Sequence, residues 1–422
     1  MMDRLPGFRD FYPEPIPHPD VWSSDARHYL FSSWRTTARL YGFREYDGPP
    51  VESLELYTTK SGSEIVGQLY NFKDKGDREV SLRPEMTPTL ARMAAAHERA
   101  YKKPIKWFAI PQLFRYERQQ KGRLREHFQF NADIIGEADP AADAELIALL
   151  VDSLRALGLT SGDFKIRLSS RNAWHEFYTR GNGAPEGEYA FYQAVDKIGR
   201  DPLEETERKL AAVGFRFAAV RDFIEKGEPT DELRKVLDNL DARGLSEFAQ
   251  VDYHVIRGLA YYTGIVFEAF DVQGELRAIA GGGRYDNLVK LLSGGKVDLP
   301  ALGFGMGDVV LMELLKSRNL LPQFTSGTDV FVLIEDQSLR FESLKLVQAL
   351  RSEGLAVEYS LTPMKPDKQF KRALELKSGF SARIERDASG GTMARLKNLK
   401  TREESVVPVP EAPKELQRKL PA

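Results

Sequence analysis

The sequence predicts an α+β fold, in which an antiparallel sheet is flanked by helices and a smaller α/β domain follows. Two pairs of apolar segments are separated by polar stretches and predict antiparallel hairpins, 69–72 with 79–82 and 107–114 with 128–135. No glycine-rich turn joins a strand to a helix early in the chain, which argues against a doubly wound sheet. Beyond residue 328 the pattern changes to strands that alternate with helices.

Composition narrows the class of protein. The chain has 422 residues, of which 42% are hydrophobic, enough for two or three domains. The net charge of -2 means that a nucleic-acid partner would be held by local basic patches, not by bulk charge. The absence of cysteine excludes disulfides and thiolate metal sites. Because it has no apolar run of ~18 residues and no secretory signal pattern, the chain is expected to be cytoplasmic, with no membrane contact.

The first region, from residue 1 to about 320, carries the predicted antiparallel sheet. Apolar residues recur at helical spacing from Trp22 to Tyr41, which predicts one long amphipathic helix that ends at Gly42. The first hairpin then runs into the segment Arg83-Pro84-Glu85-Met86-Thr87 and a helix predicted at 89–100.

Residues 172–245, inside this region, are rich in helix formers with opposite charges three and four positions apart. We expect a helical insertion here. Its composition fits two roles equally, contact with a macromolecular substrate and packing alone.

A polar linker introduces the last region, 329–410, which is predicted to be a small α/β domain with a mostly parallel sheet. Strands are expected at 330–334 and 355–359, with helices at 339–352 and 368–377. Lysine and arginine cluster here, as they would on ordinary solvated helices or on a surface that grips a polyanion.

The hairpin between residues 107 and 135 has a high density of arginine in its loop. Arginines 115, 118, 123 and 125 surround Glu117. A guanidinium presents planar donors that fit phosphate oxygens in pairs, so the loop suits a polyphosphate, although a general anion patch would have the same composition. The rigid flanking strands favour a binding site.

Two later segments complete the pattern. The segment Tyr253–Glu268 places Arg257 and the adjacent Tyr261 and Tyr262 before a strand, and the segment 280–286 reads Ala-Gly-Gly-Gly-Arg-Tyr-Asp. Together with the arginine hairpin and the Arg-Pro-Glu segment, they resemble the histidyl-tRNA synthetase family of class II aminoacyl-tRNA synthetases, over nearly the whole chain and in the right order.

The resemblance implies a class II catalytic core at 1–320, with the insertion at 172–245, and an anticodon-binding-like domain at 329–410. It implies a histidine-tRNA ligase whose substrates are histidine, ATP with Mg²⁺, and histidine tRNA. The long first helix, with the strand and proline after it, would correspond to the motif 1 that forms a homodimer interface. The residues that hold a metal are not assigned.

The resemblance also assigns roles at the nucleotide. Arg115 would hold the α-phosphate, and Arg257 would lie between the α-phosphate and the histidine carboxylate, so these two arginines would be catalytic. Arg123 would reach the terminal phosphates, Glu117 would face the adenosine or a magnesium-bound water, and Phe128 would stack on adenine.

Histidine itself needs partners at two ring nitrogens. Gln129 and Asp133 lie on alternate positions of one strand and therefore share a face. The resemblance adds a threonine near the α-amino group and both tyrosines of the paired motif. The residues assigned to histidine are Glu85, Thr87, Gln129, Asp133, Tyr261 and Tyr262.

Three positions depart from the family pattern. Asp133 replaces a usual glutamate, Ala260 replaces an aspartate, and Val310 replaces the motif 3 arginine that contacts ATP. Valine cannot bind phosphate, so we expect another cation, Arg118 or Arg284, to take that role.

Two alternatives to the enzyme remain. One is a catalytically silent paralogue that senses histidine as a regulatory subunit, which would generally lack the Arg257 motif and the last domain. The other is a nucleic-acid-binding accessory protein, which would be expected to lose Glu85, Arg115 and Tyr262. The chain keeps all of these features.

Overall fold

The computed structural model describes residues 2–13, 21–61, 63–116, 124–199, 201–256, 261–274, 276–324 and 327–420. The chain divides into two compact units. The first comprises Met1–Phe11 with Ala26–Leu321, and the second comprises Tyr12–Asp25 with Pro322–Ala422. The helical insertion therefore belongs to the first unit.

Strands and helices alternate irregularly through the first three quarters of the chain. The strands are β1 (Phe11–Tyr12), β2 (Trp22–Ser23), β3 (Arg44–Glu45), β4 (Val51–Ser53), β5 (Asn71–Lys73), β6 (Glu79–Leu82), β7 (Ile105–Ala109), β8 (Gln112–Phe114), β9 (Glu126–Ile135), β10 (Phe164–Ser170), β11 (Ala249–Val251), β12 (Ile265–Asp271), β13 (Ala280–Arg284) and β14 (Ala301–Gly307). The helices are α1 (Ser24–Leu40), α2 (Leu54–Ser61), α3 (Thr87–Ala96), α4 (Ala141–Arg155), α5 (Arg171–Arg180), α6 (Glu188–Asp196), α7 (Leu203–Ala212), α8 (Phe217–Lys226), α9 (Asp231–Ala242), α10 (Leu288–Leu292) and α11 (Asp308–Ser317).

Nine strands form the main sheet, in the order β11-β10-β12-β13-β14-β9-β7-β3 with β8 beside β9. Its pairs are antiparallel except β3 with β7 and β10 with β11. A separate three-stranded sheet has the order β4-β6-β5. The predicted α+β class is confirmed.

The predicted strand 107–114 is two strands in the structure. Pro111 lies between β7 and β8, where it has no N–H to offer a ladder. Strands β7 and β8 both pair with the long strand β9, which keeps the two short strands next to each other.

Helix α1 packs on the main sheet through an apolar stripe. Leu30 and Trp34 are fully buried, and the Trp34 ring stacks on Phe130 of β9 with centroids 5.5 Å apart. The helix ends at Leu40, and Gly42 follows with φ +76°, a conformation that glycine adopts without strain. This helix was predicted at nearly these bounds.

The predicted insertion forms helices α5 to α9. Its core is aromatic: Trp174 contacts Phe177, Phe191, Phe223 and Tyr253, with ring centroids 4.7 to 6.2 Å apart. This cluster explains how a segment so rich in surface charge folds.

The second unit contains β15 (Val330–Leu333), α12 (Arg340–Ser352), β16 (Val357–Tyr359), α13 (Pro366–Glu375), β17 (Phe380–Arg386), β18 (Thr392–Asn398), β19 (Glu404–Pro408) and α14 (Ala412–Lys419). The sheet order is β16-β15-β17-β18-β19. Strand β15 pairs parallel with β16 and β17, whereas β17-β18 and β18-β19 are antiparallel.

The prediction of a mostly parallel sheet was therefore wrong for half of the strand pairs. The connection from β17 to β18 is a tight turn, in which Asp387 accepts hydrogen bonds from the backbone of Ser389 and Gly391. A turn of this length cannot make the crossover that parallel strands need.

No helix in the described ranges has the length and apolarity of a membrane span.

Candidate active site

Glycines form the floor of the candidate site. Gly281 and Gly283 of β13 pair with Gly305 and Gly303 of β14, so the alternation of the strands puts all four on one face. A Cβ atom at Gly303 would lie 1.8 Å from Asp133 Oδ1. The absent side chains thus leave room for polar groups on the next strand, β9.

Strand β9 supplies a row of polar side chains to this face. Gln129, Asn131 and Asp133 alternate along it, and each is paired with a glycine of β14. The Gln129 side chain lies over Gly305, since a Cβ atom added to Gly305 would come within 2.6 Å of the Gln129 amide.

Asp133 is the most perturbed of these groups. It is 2% exposed and accepts a hydrogen bond of 2.6 Å from the hydroxyl of Tyr285. Burial raises the pKa of Asp133 to about 7, although the Tyr285 hydrogen bond opposes the change. A carboxyl group with this pKa can exchange a proton near the pH at which imidazole titrates.

A cavity of about 70 Å³ opens above the glycine floor. Six of the residues assigned from the sequence line it: Glu85, Thr87, Arg115, Gln129, Tyr261 and Tyr262. Asp133 is not in the wall, but its partner Tyr285 is. The two adjacent tyrosines both face the cavity, with ring centroids 4.8 Å apart and planes at 40°.

Hydrogen bonds to backbone and side-chain acceptors fix the mouth of the cavity. Arg115 Nε donates to the carbonyl of Pro84 at 3.0 Å, and the Tyr261 hydroxyl donates to Glu85 Oε2 at 3.4 Å. Arg83 is buried and donates to a backbone carbonyl 2.7 Å away. The Arg-Pro-Glu segment is therefore held between the arginine hairpin and the paired tyrosines.

The structure contradicts the role expected of Phe128. Its side chain lies on the opposite face of β9 from Gln129, where it packs against Phe11 and Phe31 with centroids 5.9 and 5.1 Å apart. His127 lies two residues before Gln129 in β9, nearer to the hairpin loop, and its side chain is on the same face of the strand as Gln129. His127, and not Phe128, therefore lies on the face of β9 that carries the polar row.

The structure also rules out one expected substitute for the motif 3 arginine. Val310 is buried in the first turn of α11. Arg284 is 6% exposed, its Nε donates to Asp143 at 2.9 Å, and its Nη groups donate to two backbone carbonyls. These bonds occupy its guanidinium, so Arg284 does not replace the lost cation.

Several predicted residues lie outside the described ranges, and their roles stay predictions. They are Glu117, Arg118, Arg123, Arg257 and Ala260.

A buried arginine that the sequence analysis missed connects three parts of the core. Arg9 Nε donates to Glu126 at 2.7 Å and its Nη1 donates to Asp308 at 2.8 Å, with the arginine side chain 1% exposed. Asp308 also accepts the backbone N–H of Phe128 at 3.0 Å. The two ion pairs of Arg9 therefore connect the amino-terminal segment to the first residue of β9 and to the first residue of α11.

Two of the missed residues had a signal in the sequence. His127 and Asn131 differ by two positions from Gln129, so strict strand alternation would have placed both on the site face. Arg9 had none, because its acidic partners are 117 and 299 residues away.

An antiparallel sheet in which glycine-rich strands lie beside a row of polar side chains has the fold of the class II aminoacyl-tRNA synthetases. Comparison with a solved structure agrees on the fold. Histidyl-tRNA synthetase from Nostoc sp. PCC 7120 superposes with a TM-score of 0.77 at 23% identity, covering 97% of this chain and 98% of that one.

Sequence comparison defines the family. The family described as Histidyl-tRNA synthetase matches residues 20–307. A histidine-tRNA ligase of Opitutus terrae is 46% identical over 96% of this chain and 95% of its own length. A histidine-tRNA ligase of Leptospira biflexa is 41% identical over 87% and 86%, respectively. This chain belongs to the histidyl-tRNA synthetase family.

Proposed function

We propose that this protein is a histidine-tRNA ligase. It activates histidine with ATP to histidyl-adenylate and transfers the histidyl group to the 3′ end of histidine tRNA. The observation that carries the proposal is the cavity between the glycine floor and the Arg-Pro-Glu segment, where acidic, amide and tyrosine groups meet in a chain of this family.

In the first step the histidine carboxylate attacks the α-phosphorus of ATP, and pyrophosphate leaves. Both reactants are anionic, so the site must neutralise charge and align them. Arg115, at the cavity wall, is proposed to hold the α-phosphate, and Arg257 to stabilise the charge that develops between the two reactants. Arg123 and Glu117 are proposed for the terminal phosphates and the adenosine side.

His127 takes the place of Phe128 in this proposal. An imidazole ring can stack on adenine as a phenyl ring does, and His127 lies on the correct face of β9. Phe128 instead belongs to the core beneath α1.

Histidine recognition is assigned to the groups in and behind the cavity wall. Asp133 and Gln129 offer groups to the ring, and Glu85 with Thr87 suits the α-ammonium group, because a carboxylate complements a cation. Tyr261 and Tyr262 would close the pocket and exclude water.

In the second step a hydroxyl of the terminal ribose attacks the acyl carbonyl, and AMP leaves. We propose that residues 1–320 perform both steps and that residues 329–410 bind the anticodon side of the tRNA. The insertion at 172–245 remains assigned only as a candidate for contact with the tRNA.

Mg²⁺ is proposed to enter as part of the ATP substrate. In the described ranges, histidine, aspartate and glutamate do not gather in groups of three that could hold a metal. Phosphate oxygens and water would then supply most ligands of the ion, which is usual for Mg²⁺ at nucleotide sites.

We also propose a homodimer that works in the cytoplasm. Apolar side chains are exposed close to motif 1, with Leu40 72%, Val51 38% and Phe72 47% exposed. Such residues are typical of a surface that another chain covers. Analytical ultracentrifugation measures this directly, and a monomer at micromolar concentration would refute it.

The test of function is pyrophosphate exchange into ATP, with Mg²⁺ and each of the twenty amino acids in turn. Exchange with histidine alone is expected, followed by transfer to tRNA. If no amino acid supports exchange while calorimetry still detects histidine binding, the protein is the silent histidine-sensing paralogue, and the loss of the motif 3 arginine at Val310 is the reason.

A further inference from the structure

Asn131 lies in the middle of the polar row on β9, and the family resemblance assigned it no role. It is 5% exposed and lines the cavity between Gln129 and the site of Asp133. Its Oδ1 atom is buried and has no hydrogen-bond partner among the described residues.

The residues that are paired with Asn131 on the two neighbouring strands have no side chain that could supply that partner. On one side Asn131 is paired with Gly305, which has no side chain, and on the other with Ala109, which has only a methyl group. A buried acceptor without a hydrogen bond is unfavourable, so a group that enters the cavity is the natural partner.

We propose that Asn131 is a specificity-determining residue that accepts a hydrogen bond from the ring N–H of histidine. This inference rests on the proposed function. The α-ammonium group has a better partner in the half-buried carboxylate of Glu85 at the mouth. The side chain of Asn131 is neutral and lies next to Asp133 in the buried part of the pocket. An uncharged amide there suits the edge of the imidazole ring better than the charged α-ammonium group.

The chemistry of an amide oxygen explains the selectivity that this contact would give. It accepts from an N–H group and finds nothing to bind on a C–H or a sulfur at the same place. Asn131 would accept a hydrogen bond from the N–H of one ring nitrogen, and Asp133 would form a hydrogen bond with the other nitrogen. Only a ring with two nitrogens can form both hydrogen bonds.

The experiment compares Asn131→Leu, Asn131→Asp and wild type in the full-length protein. Isothermal calorimetry measures the dissociation constants of histidine and of thiazol-4-ylalanine, whose ring has sulfur in place of the N–H group. Ser169→Ala is the matched control, because Ser169 Oγ is also buried without a partner in the described structure, yet it does not line the cavity.

We expect Asn131→Leu to weaken histidine binding about 5- to 150-fold and to leave thiazolylalanine binding unchanged. Asn131→Asp retains an acceptor and should recover most of the affinity. Ser169→Ala should bind both ligands as wild type does. Thermal unfolding of each variant shows that it is folded.

Two results would overturn the proposal. Equal weakening for both ligands would mean that Asn131 does not contact the ring N–H, and no weakening would mean that it does not contact histidine. Failure of the proposed function is a separate outcome, since wild-type protein would then give no histidine-dependent pyrophosphate exchange.

Discussion

The substitution Gly303→Ala tests whether the glycine floor defines the histidine pocket. The added Cβ atom would lie 1.8 Å from Asp133 Oδ1, whereas real Cβ contacts are essentially never shorter than 3.0 Å. The carboxylate must therefore move by at least about 1.2 Å, the difference between those two distances.

Moving the Asp133 carboxylate should lower the free energy of unfolding. The carboxylate is held by the 2.6 Å hydrogen bond from Tyr285, and both groups are almost fully buried. Loss of a buried hydrogen bond together with overpacking of a core position is expected to lower the free energy of unfolding by about 2–5 kcal/mol. Because Asp133 would no longer face the ring, histidine affinity should fall at least about 100-fold.

The assay is urea unfolding together with histidine calorimetry in the absence of ATP. Gly307→Ala is the matched control, since it lies at the end of the same strand and no atom stands within 4 Å of its added Cβ. Its φ of -79° and ψ of 141° suit alanine, and Gly307 is also the N-cap of α11, where alanine is less favourable than glycine. The free energy of unfolding should therefore fall by no more than about 1 kcal/mol. If Gly303→Ala binds histidine as wild type does and unfolds at the same urea concentration, the reasoning is refuted.

Three further predictions concern the remaining parts of the site. Arg9→Ala leaves two carboxylates buried and should cost about 3–5 kcal/mol in urea unfolding, whereas Arg4→Ala, which removes an exposed pair, should cost about 0–1 kcal/mol; equal losses would contradict the buried network. The pKa of Asp133 is raised to about 7 in the folded protein, so its contribution to stability is full below about pH 4 and is lost as pH rises towards 7. Relative to Asp133→Asn, wild type should lose up to about 4 kcal/mol over that interval, and a flat difference would show that this carboxyl is not buried as described. Finally, His127→Ala should raise the KM for ATP in pyrophosphate exchange, whereas Phe128→Leu should lower the melting temperature and leave that KM unchanged; the reverse would restore Phe128 to the nucleotide.

Local pattern predicted much of the fold. The spacing of apolar residues gave α1 to within a few residues, and the two hairpins emerged because polar turns interrupt apolar strands. The sheet of the second unit was predicted to be mostly parallel because its first strands alternate with helices. Strands β17, β18 and β19 follow with no helix between them, and strands joined by short turns pair antiparallel.

The site shows where sequence reasoning reaches its limit. Gln129 and Asp133 were found from chemistry and alternation, but the same alternation was not applied to Phe128, so a core residue was assigned to the nucleotide. The sequence does not show that Arg284 pairs with Asp143. The two residues are 141 positions apart, and no local pattern indicates the ion pair. Long-range ion pairs leave no periodic trace in a sequence.

The pairing of Arg9 with Asp308 has a consequence for the order in which the protein is made. The two residues are 299 positions apart, and at about 5–20 residues per second a ribosome needs roughly 15–60 s to span them. Throughout that interval the guanidinium lacks one of the carboxylates that later surround it. Completion of the catalytic core during synthesis thus depends on α11, and a nascent chain released before residue 308 cannot close the buried network that begins at its ninth residue.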